Sequence, residues 1–452
     1  MKSIFIMSMI TLSFLFGGCN QAKKNQVAAQ AAKADPVEAS KASTIYEVNI
    51  RQYTPEGTIE AFMQHVPRLK ELGVDILWIM PIYPIGEKNK KGPLGSYYAV
   101  KDYKDVNPEF GTKNDFKKLV KTVHDNDMMI ILDWVANHTA WDHPWIKKHP
   151  EWYTKDSTGN VVAPVEDWTD VADLNYENQE MRQAMTDALV YWVKEFDVDG
   201  YRCDVASMVP NDFWESARTE MEQVKPVFML AEAEKPELHK MAFDANYAWE
   251  LHHIMNEIAK GKQNASHLRK YFKKEPTRFA DSVYRMAFTT NHDENSWNGT
   301  VFERMPNSYK TFAVFTYAAP TFPLIYSGQE AGLNKRLAFF KKDTIEWKEH
   351  EMGALYKKLN TLKEDNPALW NGRYGGKINV LKTNHSKQIF AFTREKEDNK
   401  VLAIFNLSDT AAEVKFKNFK PAQSFKDAFT GKEFDGKSSI KLEPWDYFIG
   451  LK

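Results

Sequence analysis

Short apolar runs alternate along the chain with stretches in which apolar side chains recur every three to four residues. Residues 74–82 and 128–135 are continuous apolar runs, as expected of strands buried on both faces. Residues 45–53 alternate and predict a strand ahead of them. Residues 58–72 place Phe62, Val66, Leu69 and Leu72 on one side of a helix, with Gly73 as its stop. Residues 116–124 and 178–196 also read as helices. Strand-like runs resume at 200–206, 227–233, 242–249, 283–290 and 322–326, with helices between them. Residues 138–170 are rich in Trp, His, Pro and Asp and break this rhythm, which predicts a small inserted domain at about 138–172. About eight strand–helix units point to the α/β class and a (β/α)8 TIM barrel spanning 44–372. A doubly wound open sheet is the alternative, but no Gly-rich phosphate loop follows the first strand. After Gly372 the character changes. Short strand-like runs at 378–381, 388–393, 401–406, 413–416 and 439–442 predict a C-terminal all-β domain, a β-sandwich over 373–452.

The first residues stand apart from this pattern. Lys2 precedes an apolar segment, 4–16, too short for a comfortable membrane span, and Gly17-Gly18-Cys19 follows. Small residues before a cysteine resemble a bacterial lipobox. The expectation is a signal peptide over 1–18, lipidation at Cys19 and a flexible tether over 19–43, rich in Ala, Lys and Gln. The protein would be exported and anchored to a membrane as a lipoprotein, periplasmic or on the cell surface. The other cysteine is Cys203, so no disulfide framework is available.

Composition narrows the function classes. Among 452 residues, 60 Lys and Arg balance 61 Asp and Glu, which argues against a nucleic-acid-binding surface as the chain's main purpose. The 13 Trp, 19 Tyr and 28 Phe residues serve core packing or sugar stacking, and composition does not separate the two.

In a β/α barrel, function sits where strands end and loops begin. Predicted strand ends carry Asp133, with Asn137-His138 just beyond; Arg202 and Asp204; Glu232; and His292-Asp293. Any one of these carboxylates could be a cap or an ion-pair partner. Several on one face, without a Cys/His metal cluster, suit glycoside hydrolysis, which needs a carboxylic acid for the leaving oxygen and a second carboxylate.

These residues carry a resemblance to glycoside hydrolase family 13, the α-amylase family. Asp133–His138 is similar to its D-x-x-x-N-H segment, and 200–204 to its G-[FY]-R-x-D segment. Glu232 stands in the acid/base segment, and 290–293 resembles the N-H-D segment. Asp173-Leu174-Asn175 resembles the segment closing the inserted domain B, and 95–112 and 323–330 resemble two further family segments. The resemblance implies a retaining enzyme cleaving α-glucosidic, mainly α-1,4, bonds in starch-like glucans or maltooligosaccharides. It implies Asp204 as nucleophile, Glu232 as general acid/base and Asp293 as third carboxylate. Tyr98, His138, Arg202 and His292 would bind substrate, and Asn137 and Asp173 would hold a structural Ca2+. Ser207 and Met208 replace the Lys-His pair of many α-amylases, and Glu234 competes with Glu232 for the acid's place. An α-glucosidase or transglycosylase of the same family, or a catalytically degenerate glucan-binding lipoprotein, are the alternatives.

Overall fold

Eight parallel strands close into a barrel in the computed structural model, which describes residues 35–417, 419, 421 and 424–452. They are β1 (Ile45–Val48), β2 (Ile76–Ile79), β3 (Met129–Trp134), β6 (Gly200–Cys203), β7 (Phe228–Ala231), β8 (Ala245–Tyr247), β9 (Tyr284–Ala287) and β10 (Phe322–Tyr326). Their order around the barrel is β1-β10-β9-β8-β7-β6-β3-β2. Successive side chains on a strand face opposite ways, so each apolar run serves two cores. Ile45, Ile76, Trp78, Ile131, Phe228 and Leu230 fill the barrel interior. Tyr46, Leu77, Ile130, Tyr201 and Met229 face the surrounding helices. Continuous apolar runs in the sequence follow from that double burial.

The local expectations need three corrections. The alternating run at 45–53 is strand only to Val48; Ile50–Tyr53 is a helical turn. Its Arg51 and Gln52 are buried and reach loop carbonyls, which a continued strand would carry away from them. The single helix expected at 58–72 is two, Ile59–Met63 and Val66–Leu72. Pro67 stands in the first turn of the second, where its missing N–H costs nothing, and it could not continue the first. The tether expected to run to residue 43 ends earlier. Pro36–Ala39 is a helical turn capped by Asp35, and Val37 packs against the barrel's interior cluster. Tyr284 at the start of β9 donates to Val37 O at 2.7 Å, and Asn371 Nδ2 donates to Ser40 O and Ser43 O. Residues 35–43 therefore close the N-terminal end of the barrel. The signal segment 1–18, Cys19 and residues 20–34 lie outside the described residues.

Between β3 and the helix Gln179–Phe196 the excursion leaves on β4 (His138–Ala140) and returns on β5 (Val171–Asp173). The two pair antiparallel, with His138 opposite Asp173. This small domain B stands at the C-terminal mouth of the barrel.

The C-terminal part is built on a six-stranded antiparallel sheet. Its central strands are Ile389–Lys396, Asn399–Asn406 and Tyr447–Leu451. Alternation again divides them between two cores. Phe390, Phe392, Val401, Ala403 and Phe405 pack toward the barrel helices, while Ile389, Ala391, Leu402 and Ile404 face a separate core. Two two-stranded ribbons, Lys382–Thr383 with Phe416–Lys417 and Ala412–Val414 with Ile440–Leu442, form the second layer. The strands Phe425–Asp427, Glu433–Phe434 and Tyr447–Leu451 were not among those expected from the pattern.

Candidate active site

Arg202 organises the mouth of the barrel. It lies on β6, fully buried, and points inward because Tyr201 and Cys203 take the outward face. Its Nη1 donates to Asp133 Oδ1 at 2.8 Å and to Asp204 Oδ1 at 3.0 Å, and its Nη2 lies 2.9 Å from Glu232 Oε2. Its Nε donates to Tyr247 OH at 3.1 Å. One guanidinium thus holds carboxylates from three adjacent strand ends, a task for which its rigid planar fork is suited.

Backbone geometry places Glu232 as firmly. Glu232 N donates to Cys203 O at 3.0 Å, continuing the β6–β7 ladder by one residue. Val205 N donates to Glu232 Oε2 at 2.8 Å. To aim that N–H, Val205 adopts left-handed backbone, φ 37° and ψ 44°. This conformation is costly for a β-branched residue and typical of strained functional positions. Glu234 is engaged elsewhere. It pairs with Arg285 and accepts from Glu250 N at 2.9 Å, so the structure removes it from the mouth.

On the opposite side His292 bridges two carboxylates. Its Nδ1 meets Glu47 Oε1 at 2.5 Å, and its Nε2 lies 3.2 Å from Asp293 Oδ2 and 2.8 Å from Tyr98 OH. Tyr98 OH also donates to Asp133 Oδ2 at 3.1 Å, and its ring stacks on His292, with centroids 5.5 Å apart. Asp204, Glu232, Asp293, Arg202, His292 and Tyr98 form one connected set. Tyr97 is buried instead beneath Arg51, 4.2 Å from the ring centroid. His138 is buried at the edge of the same loops, its ring against Trp168.

The structure adds Glu47, Trp78 and Tyr247 to this set. Trp78 Nε1 donates to Asp133 Oδ2 at 3.1 Å, and Glu47 is fully buried beneath His292. Glu47 left a signal in the sequence: a carboxylate at an inward position of an otherwise apolar strand, two residues after Ile45. Trp134, at the end of β3, is fully buried among the helices. Trp297 is 53% exposed at the rim. Ser207 and Met208 lie on a short turn, Ala206–Met208, that presents Met208 to solvent.

Five carboxyl groups share two cations here, so protonation states diverge. Burial pushes Glu232 up to about 7, against the pull of Arg202 and with the repulsion of Asp204 and Asp293. Burial likewise raises Asp204 and Asp133 to about 6, again opposed by Arg202. Burial also acts upward on Asp293, but His292 beside it overrides this and holds its pKa below the usual range. His292 resists its own burial because Asp293 and Glu47 hold its proton. Burial drives His138 down to about 4, leaving it a neutral hydrogen-bonding group near pH 7. Glu232 keeps its proton to a higher pH than Asp204, and two carboxyls separated in this way can act as acid and nucleophile.

Against this geometry, comparisons with known proteins agree. The family described as "Alpha amylase, catalytic domain" matches residues 28–163 and 152–413. The chain belongs to the alpha-amylase family. The family described as "Maltogenic Amylase, C-terminal domain" matches residues 378–449. "Alpha-amylase 2" of Dictyoglomus thermophilum is 25% identical over 88% of this chain and 71% of its own length. "Maltogenic alpha-amylase" of Bacillus acidopullulyticus is 27% identical over 79% of this chain and 64% of its own length, so the chain spans a little under two thirds of that relative. The crystal structure of a noncanonic maltogenic alpha-amylase, AmyB, from Thermotoga neapolitana superposes with a TM-score of 0.84 at 29% identity, covering 91% of this chain and 99% of that one. The protein is an alpha-amylase-family glycosidase.

The pair expected to hold calcium sits at the root of domain B. Leu174 N donates to Asn137 O at 3.2 Å, which brings the two segments together. Asn137 turns its amide nitrogen toward His138 Nδ1. Burial raises the Asp173 carboxyl, and only a hydrogen bond with Thr154 opposes it. A part-buried carboxylate with no basic partner among the described residues, beside an amide and backbone carbonyls, suits a hard, oxygen-seeking cation. Among the described residues no three His, Cys, Asp or Glu side chains form a metal cluster, so most ligands there would be carbonyls or water.

Proposed function

We propose that this protein hydrolyses α-1,4-glucosidic bonds of starch-like glucans or maltooligosaccharides with retention of configuration. The observation that carries the reading is the fully buried Arg202 guanidinium, shared by Asp133, Asp204 and Glu232. Two carboxyls on one guanidinium leave little room for a water between them. That supports double displacement, for which the groups stand about 5–5.5 Å apart, over inversion. Asp204, ionised near neutral pH, attacks the anomeric carbon. Glu232 gives its proton to the departing glycosidic oxygen, so the bond to the leaving sugar breaks as the bond to Asp204 forms. A water then enters and gives a proton to Glu232, and its oxygen bonds to the anomeric carbon as the bond to Asp204 breaks. Asp293 and His292 hold ring hydroxyls, and Tyr98 offers a stacking face. The negative charge around the mouth favours the positively charged sugar ring of the transition state.

Proton NMR of early products tests the reading. The α-anomer is expected first. A β-anomer first would mean inversion and would remove Asp204 from the nucleophile's place.

Two further parts belong to this reading. A Ca2+ held by Asn137 and Asp173 would brace domain B against the barrel. A ligand bound only by the native state raises stability by mass action. Excess chelator should therefore lower Tm and calcium restore it, and an unmoved Tm overturns the site. Cys19 behind a short apolar segment would carry lipid and anchor the protein to a membrane. Cys19→Ala should move it from the membrane to the soluble fraction, and a wild type already soluble refutes the anchor.

A further inference from the structure

The loops on one side of the mouth are fastened to one another in a way the reaction does not require. The loop after β2 and the loop after β10 meet at Leu94 N, which donates to Phe340 O at 3.0 Å. Gly92, at φ +64°, lets the two backbones approach; a Cβ there would stand 2.6 Å from Phe340 Cβ. Arg51, 2% exposed, donates to Gly95 O at 3.0 Å, Leu94 O at 3.2 Å and Phe339 O at 3.4 Å. Gln52 Nε2 donates to Ala338 O and Lys341 O, each at 2.8 Å. The buried turn after β1 thus pins both loops and fixes Phe339 and Phe340.

Those two rings join the catalytic set to Trp297. Phe339 lies nearly parallel to Tyr98, with centroids 6.2 Å apart and 19° between planes. Trp297 packs against Phe339 and Phe340 at 5.2 and 5.8 Å. It stands on the π-helical turn Glu294–Asn298, directly after Asp293, and its indole N–H helps hold the Asp293 carboxylate in its charged form. Single π-helical turns often mark functional sites. Trp297 is 53% exposed although its neighbours are apolar, so a large ring face is left to solvent beside the reacting sugar's place.

Barrel order says which sugar meets it. The wall rises from the loops after β10 and β2, which flank β1, and from the loop after β9, next beyond β10. Glu232 ends β7, which lies four strands from β1 in either direction. The leaving group must lie on the acid's side, so the rest of the glycosyl chain lies on the wall's side. We propose that Trp297, backed by Phe339 and Phe340, is a specificity-determining platform for the glucosyl unit attached on the non-reducing side of the one attacked. This rests on the reading of the active site given above. The platform rewards substrates with at least two glucosyl units before the cleaved bond, because only those reach the indole face.

The test compares p-nitrophenyl α-maltoside with p-nitrophenyl α-glucoside, scored by nitrophenol release from the intact glycosyl group. Trp297→Ala should lower the maltoside-to-glucoside ratio of kcat/KM about tenfold, because both substrates lose the N–H beside Asp293 but only the maltoside loses the stacking contact. Trp297→Phe keeps a face without the N–H and should retain most of the preference. An unchanged maltoside-to-glucoside ratio in a folded Trp297→Ala protein overturns the platform. If the wild type cleaves neither substrate, the active-site reading is judged on soluble starch and falls if that too is left intact. The platform is then judged alone by calorimetry of maltotriose binding to Asp204→Asn with and without Trp297→Ala, where weaker binding supports it and equal affinity overturns it.

Discussion

At the scale of residues, the site works by crowding carboxyls around too few cations and letting burial rank them. The proposed double displacement needs Asp204 ionised and Glu232 protonated in the free enzyme. With Asp204 near about 6 and Glu232 near about 7, kcat/KM should trace a bell with its maximum between those values. A pH–rate profile on an aryl maltoside checks this, and a flat profile from pH 5 to 8 contradicts it. The same shift has a sign for stability. Glu232 has its pKa raised from 4.5 on folding, so its favourable contribution is complete below about 4.5 and is lost as pH rises through about 7. Glu232→Gln should therefore raise Tm over the wild type at pH 8, by an amount corresponding to at most about 3 kcal/mol. The difference should fade toward pH 4.5. Thermal melts at both pH values decide, and a larger gain at pH 4.5 than at pH 8 would reverse the argument.

At the scale of elements, the register of β6 against β7 sets the distance between Asp204 and Glu232. Gly200 opens β6 opposite Phe228 with φ +149°, and a Cβ there would fall 1.9 Å from Phe228 O. That contact is with backbone and cannot be relieved by a rotamer. Gly200→Ala should push the two strands apart, destabilise the protein by about 2 kcal/mol or more, and displace Asp204 from Glu232. Denaturant titration together with aryl maltoside turnover checks this. Unchanged stability and activity would mean that the ladder is not held as described. The corrected elements belong to the same scale. The pattern Ile45 to Tyr53 is compatible with a strand, yet Ile50 and Tyr53 also share one face of a helical turn. Only the need to bring Arg51 and Gln52 to loops distant in sequence selects the turn.

At the scale of the whole molecule, the C-terminal sheet is a structural part of the barrel. Arg394, 1% exposed, donates to Ala319 O at 2.7 Å, Gly376 O at 2.8 Å and Trp370 O at 2.9 Å, tying the sheet to the approach to β10. Burial without a carboxylate lowers its pKa to about 9, so its place depends on those carbonyls. Phe390, Phe392 and Phe405 belong to the same core as the helices around the barrel, and Phe315 of Tyr309–Ala318 meets all three. Arg394→Met keeps the apolar stem but strands the carbonyls, and should cost about 3 kcal/mol. A chain ending at Gly376 should not yield a folded, active barrel. An active and cooperatively melting truncated protein would separate the two parts.

The sequence by itself determined the barrel and most of the side chains gathered at its mouth. Double burial writes strands as continuous apolar runs, and a carboxylate two residues beyond an inward Arg, as with Arg202 and Asp204, must share its face. The order of the strand-end segments then named the family. Tertiary structure alone decided what depends on residues distant in sequence. Glu47 meets His292 only because β1 and β9 flank β10 in a closed barrel. Glu232 rather than Glu234 faces the mouth because Arg285 claims the latter. Trp134 and Trp297 are alike in sequence, but one is sealed among helices and the other stands open at the rim. Burial and partnership are properties of the assembled molecule, and no local pattern encodes the far side of a contact.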